Sequence, residues 1–252
     1  MIAKRKTLGV LKVILLSCSL FGVFFLHNVF AWDNTGGDHG GADWTLNANT
    51  TISGTHTNIG ALVITNNSTI TGSGALVINA ASLTINTGSI LTHTANTSAQ
   101  THTLTINVTG DVTVSGSINV DGKGYTSGYG PGVGTGSSSS SYLGSGGGGY
   151  GGTGGVGYNN SIGSQAGGNA YGSLTSPAEI GSASSYTYGG AGGGLVRLTV
   201  GGTATIAGSI SANGSGGSNG GGGGSGGGIY INTGTLAGGG TINSNGGNGA
   251  SN

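Results

Sequence analysis

Cysteine is almost missing from these 252 residues: there is one, Cys18, so no disulfide framework or thiolate metal cluster can staple the chain. Cys18 follows Leu15-Leu16-Ser17, but the apolar run continues through Phe24, Phe25 and Leu26, so a lipoprotein cleavage site is not expected. Charge is equally scarce, with six Lys or Arg against six Asp or Glu. Four of the six cations (Lys4, Arg5, Lys6 and Lys12) lie at the N-terminus, leaving only Lys123 and Arg197 beyond residue 31. Neutralising a phosphate backbone requires clustered cations, so nucleic-acid binding is excluded. Proline occurs twice, as Pro131 and Pro177, and no helix-length amphipathic pattern follows residue 31. That removes dinucleotide folds, although Gly-x-Gly-x-x-Gly spacings recur wherever glycine is dense.

The N-terminus reads as a targeting segment. Its positive start leads into the apolar run Val13–Leu26, and Val29-Phe30-Ala31 places small or β-branched residues before a cleavage point after Ala31. A 14-residue apolar run is short for a bilayer span, so the membrane is expected to matter only through this signal segment, residues 1–31. Removing those residues leaves a mildly acidic chain carrying 59 of the 61 glycines.

What is present is alternation. Leu62-Val63-Ile64, Leu76-Val77-Ile78, Leu83-Thr84-Ile85 and Leu104-Thr105-Ile106 are short aliphatic runs followed by small or polar residues, the pattern of strands with one buried face. Ala61–Gly74 and Ala75–Ile90 both open Ala-Leu-Val-Ile and read as near-copies. Three longer stretches, 104–122, 196–214 and a shorter copy at 231–246, align as one repeat in which Ile118, Ile210 and Ile242 are equivalent. Repeats of this kind bury their apolar face only against their neighbours. The expected fold is all-β: a right-handed parallel β-helix (solenoid) of about six rungs carrying long glycine-rich insertions, with aliphatic side chains stacked in ladders.

The expected segments are a cap or lead-in at 32–44, rungs at 45–121, an insertion at 122–194, a rung at 195–212, a second insertion at 213–228, and a last rung at 229–252. Glycine supplies 27 of the 73 residues of the first insertion and 11 of the 16 in the second. Runs such as Gly147-Gly148-Gly149-Tyr150-Gly151-Gly152 are compatible with polyglycine-II-like packing or with mobile linkers. The closing Asn245–Asn252 has the composition of the start of another such tract, and the chain is expected to be part of a longer protein.

Thr113–Gly122 and Ile206–Gly214, with Gly226-Gly227-Gly228-Ile229-Tyr230-Ile231 and Tyr171–Pro177 running into Ile180-Gly181-Ser182, resemble the glycine-rich β-helical repeats of large secreted bacterial surface proteins. The resemblance to these adhesin and autotransporter-passenger repeats covers roughly residues 100–250 and speaks to architecture more than to ligand. It implies an extracytoplasmic, structural or adhesive module. Two features of such proteins are missing: an Asn-Pro secretion motif and a following membrane barrel.

Candidate chemistry is thin. Asp33, Asp38, His39 and Asp43 are closely spaced, but the spacing matches no EF-hand loop, and a tryptophan cap built on Trp32 and Trp44 explains the segment more simply. His56, His93 and His102 sit in Thr-His-Thr triplets, a metal-like pattern that is expected to be exposed and solvated; the flanks of His93 and His102 could pair as a hairpin. No metal and no cofactor is expected. A polysaccharide-degrading site would need clustered carboxylates, and the rungs offer only Asp111, Asp121 and Arg197. Ice or mineral binding would need regular Thr-x-Thr ladders, which the three aligned repeats do not supply. The stronger lead is Tyr125, Tyr129, Tyr142, Tyr150, Tyr158, Tyr171, Tyr186 and Tyr188, all within the first insertion. Tyrosine among glycine and serine builds adaptable binding loops, with a carbohydrate or another cell-surface component as the expected partner; packing of the same rings onto the rungs is the alternative reading.

Overall fold

The computed structural model describes residues 34–136, 144–159, 163–185 and 187–251. Residues 1–31, expected to be a signal segment, and Trp32, Asp33, Tyr142 and Tyr186 lie outside them. The described chain is all-β, and none of its residues forms a helix long and apolar enough to cross a membrane.

Parallel pairing organises the structure into three stacks, each six levels deep. The first joins β1 (Gly37–Asp38), the middle of β3 (Thr50–Ile64), the middle of β4 (Thr69–Ile85), β6 (Thr103–Val108), the start of β11 (Leu195–Ile206) and the start of β13 (Gly228–Ala237). The second begins at β2 (Trp44–Leu46) and runs Trp44, Leu62, Leu83, Val112 of β7 (Val112–Val114), Ala204 and Leu236. The third runs Thr50, Ile70, Leu91 of β5 (Ile90–His93), Ile118 of β8 (Ser117–Asn119), Ile210 of β12 (Ser209–Ser211) and Ile242 of β14 (Thr241–Asn243). A separate antiparallel pair, β9 (Gly157–Asn159) with β10 (Gly163–Gln165), lies in the first insertion.

Alternation explains the core. In β6 the pattern Thr-Leu-Thr-Ile-Asn-Val buries every second residue, and Leu104, Ile106, Ile78, Leu198, Ile70 and Ile118 have no solvent exposure. Each such side chain contributes about 1.5–3 kcal/mol on burial. Through the middle levels like sits on like: Ile78, Ile106 and Leu198 in the first stack, Leu62, Leu83, Val112 and Ala204 in the second, and Ile70, Leu91, Ile118 and Ile210 in the third all belong to one buried cluster. The chain bends between stacks at residues suited to left-handed backbone, among them Gly74 (φ 74°) and the Asn66-Asn67 turn (φ 61° and 53°).

Two alignments change on the structure. The Ala-Leu-Val-Ile copies at 61–64 and 75–78 are not successive repeats: Leu62 belongs to the second stack and Leu76 to the first. The last repeat begins two residues earlier than its sequence suggests, since Ile229 faces Val196 and Ile231 faces Leu198. A register shift between Val200 and Thr203 restores the alignment, and Ile118, Ile210 and Ile242 do share one column. Ile242, on the sixth level, is 42% exposed.

Both glycine tracts leave and re-enter at one corner. Gly194 N–H donates to Val120 C=O at 2.8 Å, and one level on Gly227 N–H donates to Ala212 C=O at 2.8 Å.

Candidate binding surface

The tracts are hydrogen-bonded to one another with a three-residue period. Gly146 and Gly149 donate to Thr135 and Gly132 of one neighbouring segment, while Gly147 donates to Gly155 and Gly148 to Gly223, all at 2.7–2.9 Å. A β-strand sends its N–H groups alternately to two sides. Here consecutive amides point in three directions and return to the same neighbour every third residue, as a threefold extended helix requires. The period recurs in Gly190 to Gly222 with Gly193 to Ser225, in Tyr125 to Gly181 with Gly128 to Ser184, and in Gly214 to Asn245 with Gly217 to Asn248.

Such a polyglycine-II-like lattice admits few side chains. A Cβ at Gly132, Gly148, Gly149, Gly181 or Gly226 would lie under 3.0 Å from neighbouring backbone atoms. Gly151, Gly152 and Gly155 face open space instead. Of the two sequence readings of the tracts, packed segments rather than loose linkers describe these residues.

The tyrosines divide. Tyr150 and Tyr171 pack edge to face, ring centroids 5.0 Å apart, and Tyr171 donates from its hydroxyl to Ile180 C=O while accepting from Ser182 Oγ at 2.9 Å. Burial pushes the Tyr150 phenol up to about 12 and raises that of Tyr171 further. Both therefore remain neutral, and both rings are half-buried. Tyr125 is half-buried. Tyr129, Tyr158 and Tyr188 are exposed, at 49%, 68% and 43%. Tyr129 and Tyr188 lie where the segments reverse: Gly128 bonds to Ser184, and Tyr188 C=O receives Ser218 N–H at 2.8 Å. Tyr158 sits on β9 beside the exposed Val156.

The histidines are not solvated, which corrects the sequence expectation. His56 and His93 are fully buried and His102 is half-buried. β5 and β6 form no hairpin; each pairs in parallel with β4. At His56 the reason lies in the triplet itself, since Thr55 and Thr57 take the outward positions and turn the ring inward, where it faces Ile78. Trp44, His39 and His56 form a packed aromatic cap on the first levels, with centroids 4.7–5.3 Å apart and His39 Nε2 3.1 Å from His56 Nδ1. Burial lowers the His39 pKa.

His93 pins the corner to which the first tract returns. Its Nδ1 lies 2.8 Å from Thr94 C=O, which can only accept, and its Nε2 receives Leu195 N–H at 3.3 Å, so the ring is neutral. Desolvation by burial holds its pKa down to about 4. Three residues on, the buried Asn96, which no sequence motif singles out, accepts from Thr101 and His102 N–H and donates to His102 and Lys123 C=O at 2.7–2.9 Å. Only its burial in a polar pocket marks it, and no periodic signal precedes it in the chain.

The carboxylates serve the backbone. Asp43 accepts from Ala61 N–H, Asp111 from Thr203 N–H and Asp121 from Asn213 N–H, at 2.6–2.7 Å, so each ties a corner to the next level. Arg197 is occupied elsewhere, donating to Pro177 C=O at 2.5 Å and lying 4.5 Å over the Tyr230 ring. The structure thus does not bring Asp111, Asp121 and Arg197 together as a reactive group. No set of three potential metal ligands clusters among the described residues. Thr84, Thr113 and Thr205 form one outward column, interrupted by Val63 and Ala237, which is one threonine wide rather than a Thr-x-Thr face.

No family model, no curated protein and no solved structure matches the chain.

Proposed function

We propose that this chain is a right-handed parallel β-helix acting as a secreted or surface-exposed bacterial structural or adhesive module, without catalysis. In this reading the β-helix is a rigid stalk, the glycine lattice a slab held against its corner, and Tyr129, Tyr158 and Tyr188 the groups presented outward. The supporting observation is the threefold hydrogen-bond period at Gly146–Gly149, which gives the tracts a fixed shape. A fixed slab presents rings without the ordering cost that a mobile loop incurs on binding. An exposed phenol offers an apolar face to stack on a sugar ring and a hydroxyl to bond its edge. The partner is accordingly a carbohydrate or another cell-surface component.

An array of bacterial and host polysaccharides tests this. The expected result is saturable binding to a subset, weakened several-fold by Tyr158→Ala or Tyr129→Ala, with no reducing sugar released. Release of reducing ends would assign the chain to the polysaccharide-degrading enzymes instead, and binding indifferent to every tyrosine substitution would remove the tyrosines from the account.

A further inference from the structure

Where the first stack bends into the second, a groove of about 560 Å³ opens on the outside of the levels. One flank is a column of neutral polar side chains, one per level: Asn58 on β3, Asn79 on β4, Asn107 on β6 and Thr199 on β11. The parallel register sets Asn107 between Asn79 and Thr199, so the column repeats at the strand spacing of about 4.8 Å. One residue further along each strand the chain turns inward, at Ile59, Ala80 and Val108, and these back the groove. One residue beyond those, the small outward residues Ala81, Thr109 and Gly201 supply the other flank.

The amides of the column are only partly engaged with one another. Asn79 Nδ2 donates to His56 C=O at 3.2 Å, and Asn107 Nδ2 donates to Asn79 Oδ1 at 2.9 Å. Each amide keeps a second N–H, and Asn107 Oδ1 ends the chain of bonds without a donor among the described residues. The exposed Thr199 hydroxyl, one level on, has no partner among them either. Asn58 is taken up by the Asp38 carboxylate. The backbone, by contrast, is fully used: β3, β4, β6 and β11 are each paired on both sides. At the bend, Thr109 and Gly110 N–H donate to Ala80 and Ala81 C=O.

We propose that this groove binds a linear neutral oligosaccharide lying along the stacks, its hydroxyls bonded by Asn79, Asn107 and Thr199. A carboxamide holds a donor and an acceptor side by side, which matches neighbouring sugar hydroxyls that each donate and accept. One polar group per level suits a polymer whose units follow at a similar spacing, and a few polar groups on an apolar backing fix a ligand's orientation. No charged side chain lines the groove among the described residues, so an acidic or basic polymer finds no counter-charge. An extended polypeptide would need an open strand edge, which the two-sided pairing denies it. The inference rests on carbohydrate as the partner class, as in the reading above, but places it on the stacks and not on Tyr129, Tyr158 or Tyr188.

The probes are cellotetraose, laminaritetraose, maltotetraose, mannotetraose and tetra-N-acetylchitotetraose, with tetragalacturonate as the charged control, each titrated calorimetrically into the full chain. Ala81→Tyr fills the groove from an exposed position of β4; Ala75 is equally exposed on the same strand but does not line the groove, so Ala75→Tyr is the matched control. Thr199→Val removes a hydroxyl that bonds nothing within the described chain, so its urea midpoint should match the parent. The expected result is saturable binding of at least one neutral tetrasaccharide and none of tetragalacturonate. That binding should weaken at least tenfold in Ala81→Tyr and several-fold in Thr199→Val, and stay unchanged in Ala75→Tyr and Tyr158→Ala. Failure of every neutral tetrasaccharide to bind, equal binding of tetragalacturonate, or full binding by Thr199→Val or by a folded Ala81→Tyr would each overturn the proposal. Loss of binding in Tyr158→Ala with Ala81→Tyr unaffected would move the sugar to the lattice, so that the groove fails and the adhesive reading stands. Binding of penta-alanine with every sugar ignored would give the groove to a polypeptide and also overturn the proposal.

Discussion

Replacing Gly148 by alanine separates a packed lattice from a loose tract by the sign of the stability change. A Cβ there would lie under 3.0 Å from the carbonyl oxygens of Ser182 and Ala183. Both are backbone atoms that cannot rotate aside, so the neighbouring segment must move. Overpacking of this kind costs about 1–3 kcal/mol. The displacement also stretches the Gly148–Gly223 and Ser225–Ser182 hydrogen bonds, both 2.9 Å, at about 1 kcal/mol each. Allowing for partial relaxation, the expected loss is about 2–4 kcal/mol. Gly155→Ala, with nothing within 4 Å, gains only the reduced entropy of the unfolded chain and should stabilise by about 0.4–1 kcal/mol. Urea unfolding followed by near-ultraviolet dichroism of the half-buried Tyr150–Tyr171 pair reads both. If Gly148→Ala proves as stable as Gly155→Ala, the segments are not packed and the reasoning fails.

Acid should loosen the corner held by His93. Its folded pKa of about 4 lies below the ordinary 6.5, so the unfolded chain takes up the proton first as pH falls. Stability is then complete above about 6.5, declines through the window between the two values, and levels off below about 4, for a total of about 3 kcal/mol. Urea midpoints from pH 7.5 to 4, taken as the difference between the parent chain and His93→Gln, should show that decline; parallel pH profiles would contradict it. Along the third stack, Ile118→Ala should cost about 2–5 kcal/mol because the side chain is wholly buried, whereas Ile242→Ala, already 42% exposed, should cost less than half as much. Equal losses in chemical denaturation would mean that the stack does not run in the order of its pairing.

The all-β, parallel character was legible because aliphatic residues alternate with Thr, Ser and Asn, and inward Ile and Leu leave a two-residue signature wherever a strand is straight. It misled at the bends. Leu62 and Leu76 begin identical tetrapeptides yet lie in different stacks, since a corner between them resets direction without altering composition. The histidines were misjudged by residue type, although the alternation in Thr55-His56-Thr57 already assigns the ring to the inward position. The partial burial of Tyr150 and Tyr171 had no local cause. It follows from which glycine segments become neighbours, and a tract of near-uniform composition leaves that choice unmarked. The corner carboxylates were visible as residues but not as roles, because each bonds an amide one level away: for Asp111 and Asp121, that amide lies beyond the whole first insertion.

Amide hydrogen exchange at Gly147, Gly148, Gly149, Gly190 and Gly193 tests the lattice most directly, because every one of these N–H groups has an assigned acceptor on another segment. The account predicts protection at all five comparable to that of Ile106 and Leu198 in the stacked strands. Exchange of the five glycines at the rate of an unstructured peptide, with Ile106 and Leu198 still protected, would contradict it.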